Sequence, residues 1–194
     1  MKTNLSDKKP AIRYLKDVRN VLCDQEWAKT ASDDLELYYM YRQLSVKNGL
    51  RYDITVIPPR MLGREFVKTK GHHHAGAYGE LYIVLEGEGI YLMQKGDGNK
   101  IEDVCVVKAK AGQAVVIPGN YGHVTINSSG KELKMANWLV KEDKGNFSLF
   151  EKMQGACYYC SKTGWIKNEN YKEVPPLRFE KPLNSVPKNL EFLK

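Results

Sequence analysis

The chain has 194 residues, 42% of them hydrophobic and 27% charged, enough apolar material for one buried core without disulfide support. That composition excludes a collagen-like chain, a coiled coil and wholesale disorder, and no apolar run reaches the roughly 18 residues of a membrane-spanning helix. Thirty basic against twenty-three acidic residues give a net charge of +7, but the excess is gathered in residues 1–30 and 161–194, so no concentrated nucleic-acid-binding surface is expected.

Residues 1–7 lack the apolar centre of a secretory signal, and a cytoplasmic protein is expected. Residues 1–49 read as an N-terminal strand/helix extension packing on the body. Within it, residues 24–29 predict a short helix and residues 33–41 a strand, which leads to a turn at Lys47-Asn48-Gly49. Leu50–Ile57 alternates, is rich in β-branched and aromatic residues, and stops at Pro58-Pro59. Further strands are predicted at 64–69, 81–85 and 90–93, then, past a Gly96-Asp97-Gly98-Asn99 hairpin turn, at 104–107, 114–117, 123–127 and 133–140. Short strands with turns every eight to twelve residues predict an all-β sandwich or barrel over residues 50–150. No G-x-G-x-x-G and no P-loop occurs, which argues against a nucleotide-binding fold. Four of the eight prolines fall in the last twenty residues, so residues 151–194 read as an extended C-terminal, proline-rich arm.

The four cysteines, Cys23, Cys105, Cys157 and Cys160, include one C-x-x-C pair. A structural zinc site wants a second pair or nearby histidines, and none follows His123, so chance spacing is the better reading.

The four histidines are the chemical signal: His72, His73 and His74 together, and His123 alone. On an extended chain residues two apart share a side, so His72 and His74 project together while His73 points away. Glu80 follows after a short loop. Histidines with a carboxylate suit a divalent first-row metal, and His123 would complete the set if its strand returned across the same barrel.

These two segments resemble the two motifs of the cupin superfamily. The first is His72-His73-His74, Glu80 and Gly87; the second is Gly112, Pro118, His123 and Asn127. The gap between His74 and Glu80 is longer than the common cupin spacing. Residues 69–75, Thr-Lys-Gly-His-His-His-Ala, look like the T-K-G-H-x-H-A signature of cupin-type phosphoglucose isomerases, and the resemblance covers roughly residues 35–150.

That resemblance implies a cupin β-barrel or jelly roll (a double-stranded β-helix) and a metal-dependent isomerase acting on glucose 6-phosphate and fructose 6-phosphate. It implies metal ligands at His72, His74, Glu80 and His123. Glu80 would also act as the base for proton transfer between C1 and C2, with a metal-assisted hydride shift as the competing route. The sugar phosphate would be held by Thr55, Thr69, the Gly71 backbone, and Tyr38 or Tyr82, with Lys70 adding charge. Iron, zinc, manganese and nickel all accept such ligands, so the metal stays open. The family carries a G-H-D-Y segment after the second motif; here Lys144-Gly145-Asn146-Phe147 stands there. A non-catalytic cupin that binds or senses a sugar phosphate is the alternative, and an iron dioxygenase-like cupin the third reading. A homodimer is expected, because sheet edges need covering.

Overall fold

A computed structural model describes Leu5 and residues 7–194, so the reading of the N-terminal residues as signal-free falls largely outside the described residues. In chain order the elements are β1 (Ala11–Tyr14), α1 (Gln25–Thr30), β2 (Glu36–Lys47), β3 (Leu50–Ile57), β4 (Met61–Leu62), β5 (Glu65–Phe66) and β6 (Glu80–Glu86). They continue with β7 (Glu88–Asp97), β8 (Lys100–Lys110), β9 (Ala114–Ile117), β10 (Gly122–Ile126), β11 (Leu133–Val140), α2 (Ser148–Lys152), β12 (Tyr158–Ser161), β13 (Gly164–Lys167) and β14 (Arg178–Glu180).

A six-stranded sheet runs β1-β2-β3-β11-β6-β9, a four-stranded sheet runs β10-β7-β8-β14, and a smaller sheet runs β13-β12-β5-β4. The first two close on a common core: Tyr82, Val84, Met135 and Ile57 share one buried cluster with Tyr91, Met93 and Val124. The result is the all-β, cupin-type barrel. Strand alternation explains why the run at residues 81–85 is continuously apolar. Tyr82 and Val84 face the barrel core, while Leu81 and Ile83 face a second cluster on the outer side of the same sheet, with Trp138, Leu190 and Leu193. A strand buried on both faces has no solvent face to keep polar. Gly87 turns the chain between β6 and β7 at φ +76°, where a Cβ would lie 2.3 Å from the Glu132 carbonyl oxygen.

The short helix expected at 24–29 forms as α1, capped by Asp24, whose side chain accepts from the Trp27 N–H at 3.1 Å. The strand expected at 64–69 keeps ladder pairing only at Glu65–Phe66. Beyond it Lys68 bridges Ile126 and the Thr69 N–H donates to Thr125 O at 2.9 Å, so this stretch is drawn across β10 toward the site. Residues 1–49 supply β1 and β2 to the main sheet. Within 151–194, β12 and β13 form a hairpin that meets β5, and only beyond it does the chain run as a strap. In the strap, β14 pairs parallel to β8, Leu183 exchanges both backbone hydrogen bonds with Ala114, and the Leu193 carbonyl receives the Gly79 N–H at 3.1 Å. Neither the hairpin nor α2 has a pattern long enough to announce itself in sequence. Cys105, Cys157 and Cys160 are free buried thiols and Cys23 a half-buried one. Among the described residues no helix is long and apolar enough to cross a membrane.

Candidate metal and substrate site

Three elements converge at one end of the barrel. His123 lies on β10, Glu80 opens β6, and residues 72–74 lie alongside as an extended segment. The segment is held by backbone pairing: His72 and His123 exchange N–H···O bonds of 3.2 and 3.0 Å, and His73 does the same with Asn146 at 2.9 and 2.6 Å. Alternation then sets the side chains. His72, His74, Glu80 and His123 each bring one ligand atom to within 4.8 Å of all the others. His73 turns to the opposite side, where its ring packs 5.3 Å from that of Phe150.

Two residues that sequence reasoning missed aim this group. Asn137 on β11 donates to Glu80 Oε1 at 2.6 Å, which leaves Oε2 facing the imidazoles, 3.4 Å from His74 Nε2 and 3.1 Å from His123 Nε2. Asp143 receives His74 Nδ1 at 2.8 Å and is itself held by the Ala75 N–H at 3.0 Å. A proton on Nδ1 suits that bond and turns Nε2 inward, the arrangement in which a carboxylate orients a ligating histidine. Asn137 had a signal, being the one strongly polar inward position of β11; Asp143 sits in a Lys-Glu-Asp-Lys run that reads as solvated charge.

Burial pushes His72 down to about 3, reinforced by His123, so it is neutral at ordinary pH. Burial also disfavours charge on His74, but its bond to the Asp143 carboxylate and the facing Glu80 carboxylate outweigh it and raise it to about 9. Burial disfavours the Glu80 carboxylate as well, yet the His123 and His74 imidazoles that face it hold its carboxyl well below the usual range. His74 Nε2 and Glu80 Oε2 are nevertheless both buried without a hydrogen-bond partner. They face each other at 3.4 Å as a loose ion pair, and an ion that displaced the His74 proton would meet a lone pair and a carboxylate oxygen aimed at one point. Three imidazoles and a carboxylate are the donor set that a divalent first-row ion takes.

Beside this group is a cavity bordered by Tyr38, Thr55, Thr69, Gly71, His72, Glu80 and Tyr82, so the structure places every sequence-predicted site residue at or next to one space. Thr69 Oγ1 accepts from the Thr125 N–H at 2.9 Å and keeps its own proton to give. The Tyr38 hydroxyl accepts from the Lys70 N–H at 3.2 Å, and the Tyr82 hydroxyl lies 3.1 Å from His123 Nε2. Gly71 has φ +86°, and a Cβ there would strike Val124 Cγ1 at 2.5 Å, so the backbone can bend toward the cavity only without a side chain. Lys70 Nζ is paired with Glu151 at 2.5 Å and lies 5.5 Å from the Phe147 ring centre. Phe147 itself faces His72 at 5.6 Å.

The far wall carries charge that sequence reasoning did not place. Buried Asp53 on β3 receives Arg42 at 2.9 Å, Arg51 at 3.1 Å and the Gln43 N–H at 2.7 Å. A break in the β2–β3 register, with Gln43 at φ +52°, turns Arg42 inward, a bulge with no sequence signature.

A family model described as glucose-6-phosphate isomerase (GPI) matches residues 13–176. The chain belongs to the cupin-type glucose-6-phosphate isomerase family. Among curated relatives, the glucose-6-phosphate isomerase of Thermococcus gammatolerans is 32% identical over 127 residues, 63% of this chain and 65% of that protein. That of Thermococcus litoralis is 30% identical over 132 residues, 66% of this chain and 67% of that protein. The chain therefore spans about two thirds of the length of these relatives. Among solved structures, an oxalate decarboxylase of Lactobacillus farciminis gives a TM-score of 0.45 at 16% identity, over 56% of this chain and 31% of that one.

Proposed function

We propose that this member of the glucose-6-phosphate isomerase family is a metal-dependent aldose–ketose isomerase that interconverts glucose 6-phosphate and fructose 6-phosphate. The observation that carries the reading is the pair of buried, unpartnered atoms on His74 and Glu80, aimed at one point beside a hydroxyl-lined cavity. His72, His74, Glu80 and His123 would hold one divalent ion, of iron, zinc, manganese or nickel. Such an ion supplies Lewis-acid polarisation of the C1 and C2 oxygens.

The chain's own residues do the rest. Asn137 holds the Glu80 carboxylate through Oε1, and Glu80 would take a proton from one carbon and return it to the other. Asp143 keeps His74 in the tautomer whose Nε2 carries a lone pair. Thr55, Thr69 and the Gly71 backbone offer short donors to the phosphate, and Tyr38 or Tyr82 a further hydroxyl. Burial of the cluster excludes water from the proton being moved. A cytoplasmic homodimer is part of the proposal, since β1 ends the six-stranded sheet on an edge that a second copy would cover.

A second reading rests on Phe147. An apolar ring stands beside His72 where the resembling isomerases carry a histidine and a tyrosine. If those groups are needed for turnover, the protein binds or senses a sugar phosphate without converting it. Metal content together with a coupled assay on fructose 6-phosphate separates the two. Turnover that disappears on chelation and returns with metal supports the isomerase; sugar-phosphate binding without turnover under iron, zinc, manganese and nickel overturns it.

A further inference from the structure

A second space lies beside the cavity, bordered by Lys16, Asp17, Arg19 and Glu151, and Arg13 and Lys70 border both. The cations along the inner space are not equivalent. Arg42 and Arg51 are committed to Asp53, and Lys70 to Glu151. Arg13 differs: its guanidinium neighbours the uncharged Tyr38 hydroxyl, and its buried Nε has no hydrogen-bond partner. It stands on β1 directly across the ladder from Tyr38, whose hydroxyl receives the Lys70 N–H immediately before Gly71. A buried guanidinium N–H left unpaired is costly, and its planar fork matches the oxygens of a phosphate.

We propose that Arg13 is a phosphate-binding residue of this site, gripping the sugar phosphate's terminal oxygens across the cavity from Thr55 and Thr69. This rests on the isomerase reading of the same cavity and deepens it. It gives β1 a task in recognition, where the sequence marks only an extension. A phosphate seated there meets a charged fork on one side and hydroxyls on the other, so the dianion is neutralised away from the carbons that react. Charge at this position therefore acts on substrate capture far more than on the chemical step.

The test uses the full chain loaded with metal, unsubstituted and as Arg13→Met and Arg13→Lys. Four quantities are read: KM and kcat for fructose 6-phosphate, the inhibition constant of inorganic phosphate, and that of sorbitol, a neutral polyol. Arg13→Met raises KM and the phosphate constant together, by roughly 10- to 100-fold, the range expected for a charge-assisted hydrogen bond. It lowers kcat much less and leaves the sorbitol constant and the metal content where they were. Arg13→Lys falls between, because a point charge replaces a fork. Values for KM and phosphate within twofold of the unsubstituted protein in both variants overturn the proposal. If Arg13→Met does not fold, Arg13→Lys alone decides, by whether KM and the phosphate constant rise together. If the unsubstituted protein shows no turnover, the isomerase reading fails on its own. Calorimetric titration with inorganic phosphate then judges Arg13: weaker binding in the variants supports it, equal binding overturns it.

Discussion

Glu65 with Lys68, and Glu80 with its three histidines, are two knots of buried polar side chains in one small barrel, and they are finished differently. Glu65 is 0% and Lys68 2% exposed, against 2% for Glu80 and 1% for His123. Around Glu65 every bond closes: Oε2 receives Lys68 Nζ at 2.6 Å, Oε1 receives the Cys23 N–H at 2.6 Å, and the same Nζ reaches Val21 O at 3.0 Å. Around Glu80 the shell stops short, with Oε2 and His74 Nε2 left without partners. Depth of burial is the same, so depth does not mark the functional cluster. Unpartnered atoms that converge on one point do, because the cost of burying them is recovered only when a ligand arrives, whereas His73 Nε2 and Thr125 Oγ1 are unpartnered singly. The first knot ties residues 21–23 to the segment that leads into Thr69 and Gly71, and so serves the second as a foundation.

The sharpest way to break the comparison is at Glu80. Glu80→Gln keeps the size and the hydrogen bond to Asn137 but removes the charge. If Glu80 is the base, turnover falls by roughly 10²- to 10⁴-fold even in protein that retains its metal. If it serves only as a ligand, activity follows metal occupancy and excess metal restores it. Steady-state kinetics beside metal analysis of the same sample distinguishes these, and complete rescue removes Glu80 from the chemistry.

The same operation on the closed knot acts on folding. Lys68→Met leaves Glu65 buried and unpaired, which costs about 3–5 kcal/mol. The double variant Glu65→Leu/Lys68→Met regains most of that, since two apolar side chains leave no charge behind. Urea denaturation measures both, and metal bound per folded chain should not change in either. A Lys68→Met variant of ordinary stability that had lost its metal would show that the knots are one site.

What could be read in the sequence follows the same division. Strands such as Leu50–Ile57 and Leu133–Val140 were legible because alternation and flanking turns are local properties. The histidines and Glu80 were legible because their residue types are rare and their spacing specific. Lys68 was not, since a lysine in sequence reads as solvated and its burial depends on Glu65, Val21 and the Tyr159 ring meeting around it. Asp143 and Arg13 were hidden for the same reason: each is defined by a partner or a space supplied by a distant strand. Local patterns announce ligands, while long-range packing decides what orients them.

Asp143 gives a smaller effect with a pH signature. In the metal-free protein His74 is held at about 9, above its ordinary 6.5, so the stability it adds is full below 6.5 and lost as pH rises through 9. A metal must displace that proton, so apparent metal affinity rises with pH, by up to tenfold per unit, until about 9. Asp143→Asn removes one of the two carboxylates that raise His74. It flattens the dependence, and at alkaline pH it still lowers affinity by roughly 10- to 100-fold through lost orientation. Competition with a chelator across pH measures both, and an unchanged slope rules out Asp143 as the group that sets it.

The smallest effect is expected between two of the candidate ligands. His73 lies between two candidate ligands, yet its backbone pairs with Asn146 while its neighbour His72 pairs with His123, and this alternation throws its ring to the far side. There it packs on Phe150 and against Gly122, where any Cβ would lie 2.4 Å from the ring. His73→Ala therefore removes a packing contact and costs about 1 kcal/mol of stability, as ordinary partly buried truncations do. Metal bound per chain stays the same, whereas His74→Ala, on the cluster's side of the segment, lowers it. Metal analysis of the two purified variants side by side reads the difference directly. Loss of metal from His73→Ala with retention in His74→Ala would mean that the segment is turned over by one residue, and that the unpartnered Nε2 of His74 belongs to some other ligand.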